Sequence, residues 1–182
     1  MPRSCSLLRQ DTRKYLLDNY DKDSTILDVG PGEGTYYNLL NDYFTNMDAV
    51  EVWEPYINQY NLRNKYNNVY NENILDFDFD YYDVIIMGDI LEHIDADKGI
   101  KLIEKLVKKC KQLVAIVPFN LPQGAKGGVE YEEHKQPDLS DEVMAERYPA
   151  LQLLNYNDKE YKVKGPTWNG EYCVFIKKEG IW

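Results

Sequence analysis

At 182 residues the chain is long enough for one domain with a proper core and too short for two. Hydrophobic residues make up 43%, as in ordinary globular proteins, and no apolar run reaches the length of a membrane span. The net charge of −10 repels polyanions such as DNA or RNA, which disfavours nucleic acid as a partner.

The first ten residues carry two arginines and a short Leu7-Leu8 patch without a signal-peptide apolar region, so the expected location is the cytoplasm. Three scattered cysteines, Cys5, Cys110 and Cys173, read as reduced thiols, and no C-x-x-C metal spacing exists. Residues 8–20 read as a helix with Leu8, Tyr15, Leu16 and Tyr20 on one face. Strand one covers residues 25–29 and stops at Gly30-Pro31-Gly32-Glu33-Gly34, where glycines permit a sharp turn and close approach of a ligand. A helix follows over residues 35–44, with Tyr36, Leu39, Leu40 and Tyr43 inward. Strand two is read at residues 49–53 and ends in Glu54, ahead of a Pro55 that suits a helix start. An acid at that place can accept hydrogen bonds from both hydroxyls of a ribose. Glu51 is the rival, but the pattern Val50-x-Val52-Trp53-Glu54 puts Glu54 at the strand end.

Helix B is expected to run to about residue 65, with a short strand three at 68–70 and strand four at 84–87. Asp76, Asp78 and Asp80 alternate with phenylalanines and read as one polar face, so no metal is expected there. Ile100, Ile103, Leu106, Val107 and Cys110 recur at helical spacing, which places Cys110 in the core. Lys105, Lys108, Lys109 and Lys111 read as the solvated end of that helix. Strand five covers 113–117. Residues 119–137 are polar and glycine-bearing, too long for an idle connection, and read as a lid or binding loop. Ser140 can cap a helix over 141–148. Residues 151–155, 160–164 and 172–177 are strand-like, with Asn169-Gly170 as a hairpin turn. Strands alternating with helices imply an α/β fold, a mostly parallel sheet covered on both faces.

A dinucleotide fingerprint would need Gly or Ala at position 35, where Thr35 stands. The spacing Gly30, Gly32, Gly34 after Asp28 instead resembles the class I S-adenosylmethionine methyltransferase family. Asp89-Ile90-Leu91-Glu92-His93-Ile94 after strand four is similar to that family's Leu-Glu-His-Ile signature, and Leu113 to Pro118 to its fifth strand. The resemblance covers residues 24–120 well and the C-terminal third more loosely. It implies a Rossmann-like three-layer sandwich with seven strands in the order 3-2-1-4-5-7-6 and a terminal antiparallel hairpin. It also implies one methyltransferase domain over residues 1–182, with 1–23 as a helical lead-in and 119–137 as the lid.

The cofactor implied is S-adenosylmethionine, with S-adenosylhomocysteine as product. Its binding residues would be Asp28, Gly30, Pro31, Gly32, Gly34, Glu54, Asn73, Ile74 and Asp89, with Trp53 or Tyr56 walling the adenine pocket. Asp28 orders the glycine loop. Asn73 stands where the family often has an acid contacting adenine, and its side-chain oxygen can accept the same hydrogen bond. The catalytic candidates are His93 and His134 as general bases, and Asp89 as base or contact to the methionine ammonium. Each has a structural alternative: His93 ordering a helix start, His134 exposed, Asp89 capping the next turn. The expected acceptor is a small molecule, sugar or glycan, methylated at oxygen. A protein acceptor, or a module active only with a partner, is the alternative. No membrane or metal is expected, and the oligomeric state is left open.

Overall fold

The computed structural model describes residues 6–165 and 170–181. Helix α1 (Arg9–Asn19) leads into β1 (Thr25–Val29), and α2 (Thr35–Leu40) follows the glycine loop. Next come β2 (Asn46–Val50), α3 (Glu54–Gln59), β3 (Val69–Tyr70), β4 (Tyr82–Gly88), α4 (Ala96–Leu106) and β5 (Cys110–Pro118). After a long loop, α5 (Asp141–Arg147) precedes β6 (Leu151–Leu153), the small hairpin β7 (Asn155–Tyr156) and β8 (Lys159–Glu160), then β9 (Lys162–Lys164) and β10 (Glu171–Lys177).

The main sheet runs β3-β2-β1-β4-β5-β10-β6. The strands β3 through β5 are parallel, and β10 is antiparallel to β5. The order is the expected one, with β10 in the seventh strand's place. The sixth place is shared: β6 pairs with Phe175 to Lys177 and β9 with Glu171 to Cys173, while the β7–β8 hairpin loops out between them. Asn169 of the expected hairpin turn lies outside the described residues, as does Cys5; Gly165 N–H donates to Gly170 O across the hairpin at 2.8 Å.

Period-two alternation builds the three layers. Leu27, Val29, Ile85, Met87, Leu113, Ala115 and Val117 face one way and pack with Leu102, Ile103 and Leu106 of α4 and Met144 of α5. Ile26, Val84, Ile86, Val114 and Ile116 face the other way, against Leu16 of α1, Tyr36 and Leu40 of α2, and Ile57 of α3. Both faces are covered, which is why the middles of the central strands are mostly apolar, with Asp28 of β1 the exception.

Several expectations about single elements hold. Ser140 Oγ accepts the Val143 N–H at 3.3 Å. Phe77 and Phe79 are buried while Asp76, Asp78 and Asp80 point outward. Of the basic cluster, Lys108 and Lys111 are exposed as expected, Lys111 pairing with Asp83 of β4 at 2.5 Å, whereas Lys105 and Lys109 are half-buried and tied to the Phe77 and Phe79 carbonyls, each at 2.6 Å. Cys110 is buried, although it opens β5 instead of closing the helix. Helix B stops early: α3 ends at Gln59, and Asn61 takes a left-handed conformation at φ 53° before a short 3₁₀ turn, Leu62–Asn64.

Strand two differs in a way that matters for the site. It ends at Val50, three residues before the expected end. Its register is set by Val29↔Val50 on β1, and both strands finish together there. Glu54 is consequently the first residue of α3 and is exposed, and Glu51 is the acid at the strand end.

Candidate active site

The chain leaves β1 to one side to build β2 and β3, then crosses to the other side for β4 and β5. The reversal opens a crevice at the carboxyl ends of β1 and β4, where open α/β sheets take their ligands. A cleft of about 280 Å³ lies there. Gly30, Pro31 and Gly32 line one side, Glu51, Trp53 and Tyr56 the end beyond β2, and Asn73 and Ile74 the floor after β3. Asp89 and His93 line the far end, after β4.

The glycine loop is shaped by its neighbours. Gly30 has φ +61°, and a Cβ there would stand 2.2 Å from Ile90 Cδ1. Its N–H donates to Val50 O at 2.8 Å, which ties the loop to the end of β2. Gly88, at the end of β4, lies under the Tyr36 ring, and a Cβ would meet Cε2 at 2.2 Å. Gly34 is turned away from the cleft towards Lys65, whose Nζ donates to Glu33 O at 2.8 Å.

Glu51 is 5% exposed. One carboxylate oxygen accepts the Trp53 N–H at 2.9 Å and the other the Gly32 N–H at 3.4 Å. It thus joins the glycine loop to the start of α3, and burial raises its pKa. Glu54 lies outside the cleft lining. This corrects the strand-end reading: the acid that reaches the cleft is the rival residue.

Asp28 shares the parity of Ile26, so its side chain turns towards α2 and α3 and not into the cleft. Tyr66 Oη donates to its Oδ2 at 2.5 Å. Burial pushes its pKa up to about 7, against the pull of that hydroxyl. Asn73 uses its own Oδ1 to accept the Leu75 N–H at 3.0 Å, an Asx-type turn that holds residues 73–75 along the floor.

At the far end, Asp89 adopts φ 57°, an uncommon conformation for a non-glycine residue. A single 3₁₀ turn, Leu91–His93, follows. His93 Nδ1 lies 3.1 Å from Glu133 O, and burial lowers its pKa to about 4. His134 is not exposed as its structural alternative supposed: it is 9% exposed and sits outside the cleft lining, Nδ1 2.6 Å from Leu121 O. Its pKa is lowered too, again by burial. The two rings meet edge to face, centroids 4.8 Å apart.

Residues 119–137 supply one wall of the cleft through Glu130, Tyr131, Glu132 and Lys135. Tyr56 Oη donates to Glu132 at 3.0 Å, and Tyr131 packs against Trp53 with centroids 6.0 Å apart. At its far foot the segment is fixed: Lys135 N–H and Gln136 N–H both donate to Glu92 O, at 2.8 and 3.0 Å.

Sequence reasoning passed over Glu92. It is 1% exposed, and among the described residues neither carboxylate oxygen finds a hydrogen-bond partner. Burial holds its pKa well above the carboxylate range, with the Asp89 charge acting in the same direction. The signal was available inside the Leu91-Glu92-His93 motif, but its burial depends on a segment some forty residues later.

A family model described as a methyltransferase domain matches residues 3–149. No curated protein matches the chain. Among solved structures, an S-adenosylmethionine-dependent methyltransferase from Clostridium acetobutylicum ATCC 824 is similar over 94% of this chain and 91% of that one, with TM-score 0.66 and 14% identity. Magnesium protoporphyrin IX methyltransferase from Synechocystis PCC 6803, solved with bound SAM, covers 93% and 78%, with TM-score 0.62 and 13% identity. The N-methyltransferase NodS from Bradyrhizobium japonicum WM9 covers 94% and 97%, with TM-score 0.62 and 14% identity. At these identities the likeness is one of fold. Among the described residues no helix is long and apolar enough to cross a membrane.

Proposed function

The chain belongs to the methyltransferase domain family and is an enzyme, and from that premise we propose that it moves the methyl group of S-adenosylmethionine to an oxygen of a small-molecule or sugar acceptor. The observation that carries this reading is the cleft itself, with a buried acid at the end of β2 and the Asp89–His93 pair beyond the end of β4. In this reading Glu51 takes the two ribose hydroxyls. The adenine lies by Trp53 and Tyr56 over the 73–75 turn, and the methionine part follows Gly30 to Gly32. The sulfonium then points at the Asp89 and His93 end. Asp28 and Gly34 shape the loop from behind without touching the ligand. The segment 119–137 is the lid, held against Trp53 and Tyr56 at its tip.

Methyl transfer is an in-line displacement. The acceptor oxygen forms a bond to the methyl carbon while the carbon–sulfur bond breaks, and its electron pair stays on sulfur in S-adenosylhomocysteine. The protein's main task is to hold oxygen, carbon and sulfur in line. The hydroxyl proton leaves on the Asp89 and His93 side. The acceptor end is polar and carries both signs, with Lys98 paired to Asp95 at 2.8 Å and Lys135 nearby, which favours a hydroxylated acceptor over an apolar one. His134 does not line the cleft and is a positioning residue for His93.

The test is calorimetric titration of the purified protein with S-adenosylhomocysteine, followed by turnover with a panel of sugars and hydroxylated metabolites. One-to-one binding and methylation of an oxygen acceptor are expected. His93→Ala is expected to lower kcat at least tenfold while S-adenosylhomocysteine affinity stays within about twofold. Failure of the wild type to bind S-adenosylhomocysteine would overturn the reading, and equal losses of binding and turnover in His93→Ala would remove His93 from catalysis.

A further inference from the structure

We propose that Glu92, His93 and His134 form a binding site for one divalent first-row transition cation at the acceptor end of the cleft. One ligand atom from each of the three lies within 4.8 Å of the other two. The chain has two histidines in all, and both are here.

Glu92 gives the first reason. A carboxylate that is 1% exposed, with neither oxygen paired among the described residues, has lost its hydration without a replacement. Buried ionisable side chains are ordinarily paired or coordinate a metal. The histidines give the second. Each Nδ1 faces a backbone carbonyl, Glu133 O at 3.1 Å and Leu121 O at 2.6 Å. A carbonyl only accepts, so each ring carries its proton on Nδ1 and its lone pair on Nε2. Metal-bound histidines are oriented in this way by their outer partners.

The framework is also stiff. Glu92 O accepts the Lys135 and Gln136 N–H groups, and Gln136 Nε2 donates to Leu91 O and Ile94 O, both at 2.9 Å. These bonds fix the 3₁₀ turn against the root of the 119–137 segment, so ligands distant in sequence are held together. Two imidazoles and one carboxylate, with no thiolate, suit Mn²⁺, Fe²⁺, Co²⁺ or Zn²⁺ better than Ca²⁺ or Cu⁺. Bonds of about 2.1 Å would draw the three ligand atoms closer together than they stand.

Three protein ligands leave coordination positions open, and His93 lines the cleft. Resting on the methyl-transfer reading, an open position would take the acceptor hydroxyl. The cation lowers that hydroxyl's pKa, and the proton passes from oxygen to the Asp89 carboxylate. The oxygen then bonds to the methyl carbon as the carbon–sulfur bond breaks, with the electron pair left on sulfur. The expectation that the chain holds no metal rested on Asp76, Asp78 and Asp80, which lie elsewhere on an exposed face.

The test uses the full chain, stripped with a chelator and titrated with Zn²⁺ by calorimetry, alongside S-adenosylhomocysteine titrations of the same samples. One equivalent of saturable Zn²⁺ binding is expected. It should weaken at least a hundredfold in Glu92→Gln and in His134→Asn, and change less than twofold in Asp78→Asn. His134→Asn is the second probe because Glu92 is buried; loss of Zn²⁺ binding there, with S-adenosylhomocysteine binding intact, supports the site. Absence of saturable Zn²⁺ binding to the wild type overturns the proposal, as does wild-type affinity in both site variants or loss of binding in Asp78→Asn. Wild-type protein that binds S-adenosylhomocysteine but no Zn²⁺ refutes the metal site alone. Binding of Zn²⁺ without S-adenosylhomocysteine refutes the cofactor reading alone.

Discussion

Glu51→Ala and Glu54→Ala, compared directly, decide where the ribose is held. Glu51 is buried at the end of β2, with its oxygens on the Trp53 and Gly32 N–H groups. A ribose would add two hydroxyl donors to the same carboxylate. Hydrogen bonds to a charged group contribute about 1.5–3 kcal/mol each. Truncation removes both and also frees the Trp53 N–H, so about 3 kcal/mol of binding is lost. At about 1.4 kcal/mol per tenfold, the Kd for S-adenosylhomocysteine should rise by about two orders of magnitude. Glu54 is exposed and outside the cleft, so Glu54→Ala should change Kd by less than about twofold. Glu51→Gln keeps an acceptor oxygen but loses the charge, and about tenfold weakening is expected.

The assay is calorimetry at fixed salt, with thermal unfolding to show that each variant is folded. The pH dependence gives an independent check. Ribose donation favours the ionised carboxylate, and burial raises the Glu51 pKa. Wild-type affinity should therefore rise with pH through that raised range, and Glu51→Gln should flatten the rise. Loss of binding in Glu54→Ala with unchanged binding in Glu51→Ala would refute the reasoning.

Three further outcomes are expected. Asp28 titrates near 7 in the folded chain and near 3.8 when unfolded, so between those values the folded state keeps a proton the unfolded state has lost. Stability from this group is full below about pH 4 and falls as pH rises to 7, by about 4 kcal/mol in all. Denaturant unfolding of Asp28→Asn should lack that part of the fall, and a pH profile identical to wild type would contradict it. Gly30→Ala meets both the φ of +61° and the Ile90 side chain. It should cost about 1–2 kcal/mol from the backbone alone, lower Tm by a few degrees and weaken S-adenosylhomocysteine binding; an unchanged Tm would count against the loop geometry. Gln136→Ala leaves two carbonyls and the Tyr148 hydroxyl without their amide partner. Unfolding titrations should show a loss of about 3 kcal/mol, and a loss below about 0.5 kcal/mol would mean that the turn is held by other means.

The sequence carried the sheet well because the short apolar runs of β1, β4 and β5 are a local signal, and so are the glycine turn and the Ser140 cap. The end of β2 was not local. Apolar residues continue past Val50 at Val52 and Trp53, so the pattern does not say where the strand stops; pairing with β1 decides it, and that pairing is a long-range contact. The same limit hid Glu92 and the true environment of His134. The motif residues were visible, but their burial arises when residues 133–136 fold back on the turn after β4.

The 119–137 segment is fastened unequally. Its root is bound to Glu92 through the backbone and to His93 through Glu133, whereas its tip meets Trp53 through the Tyr131 ring and Tyr56 through the Glu132 carboxylate. Opening from the tip would uncover the adenine end and leave the histidine end assembled. On the proposed function, such a hinge would impose a sequence on turnover: the nucleoside side would exchange through the tip, while the acceptor side would stay built between cycles. Steady-state kinetics would then show cofactor exchange governed by Trp53, Tyr56 and Tyr131, residues with no part in the chemical step.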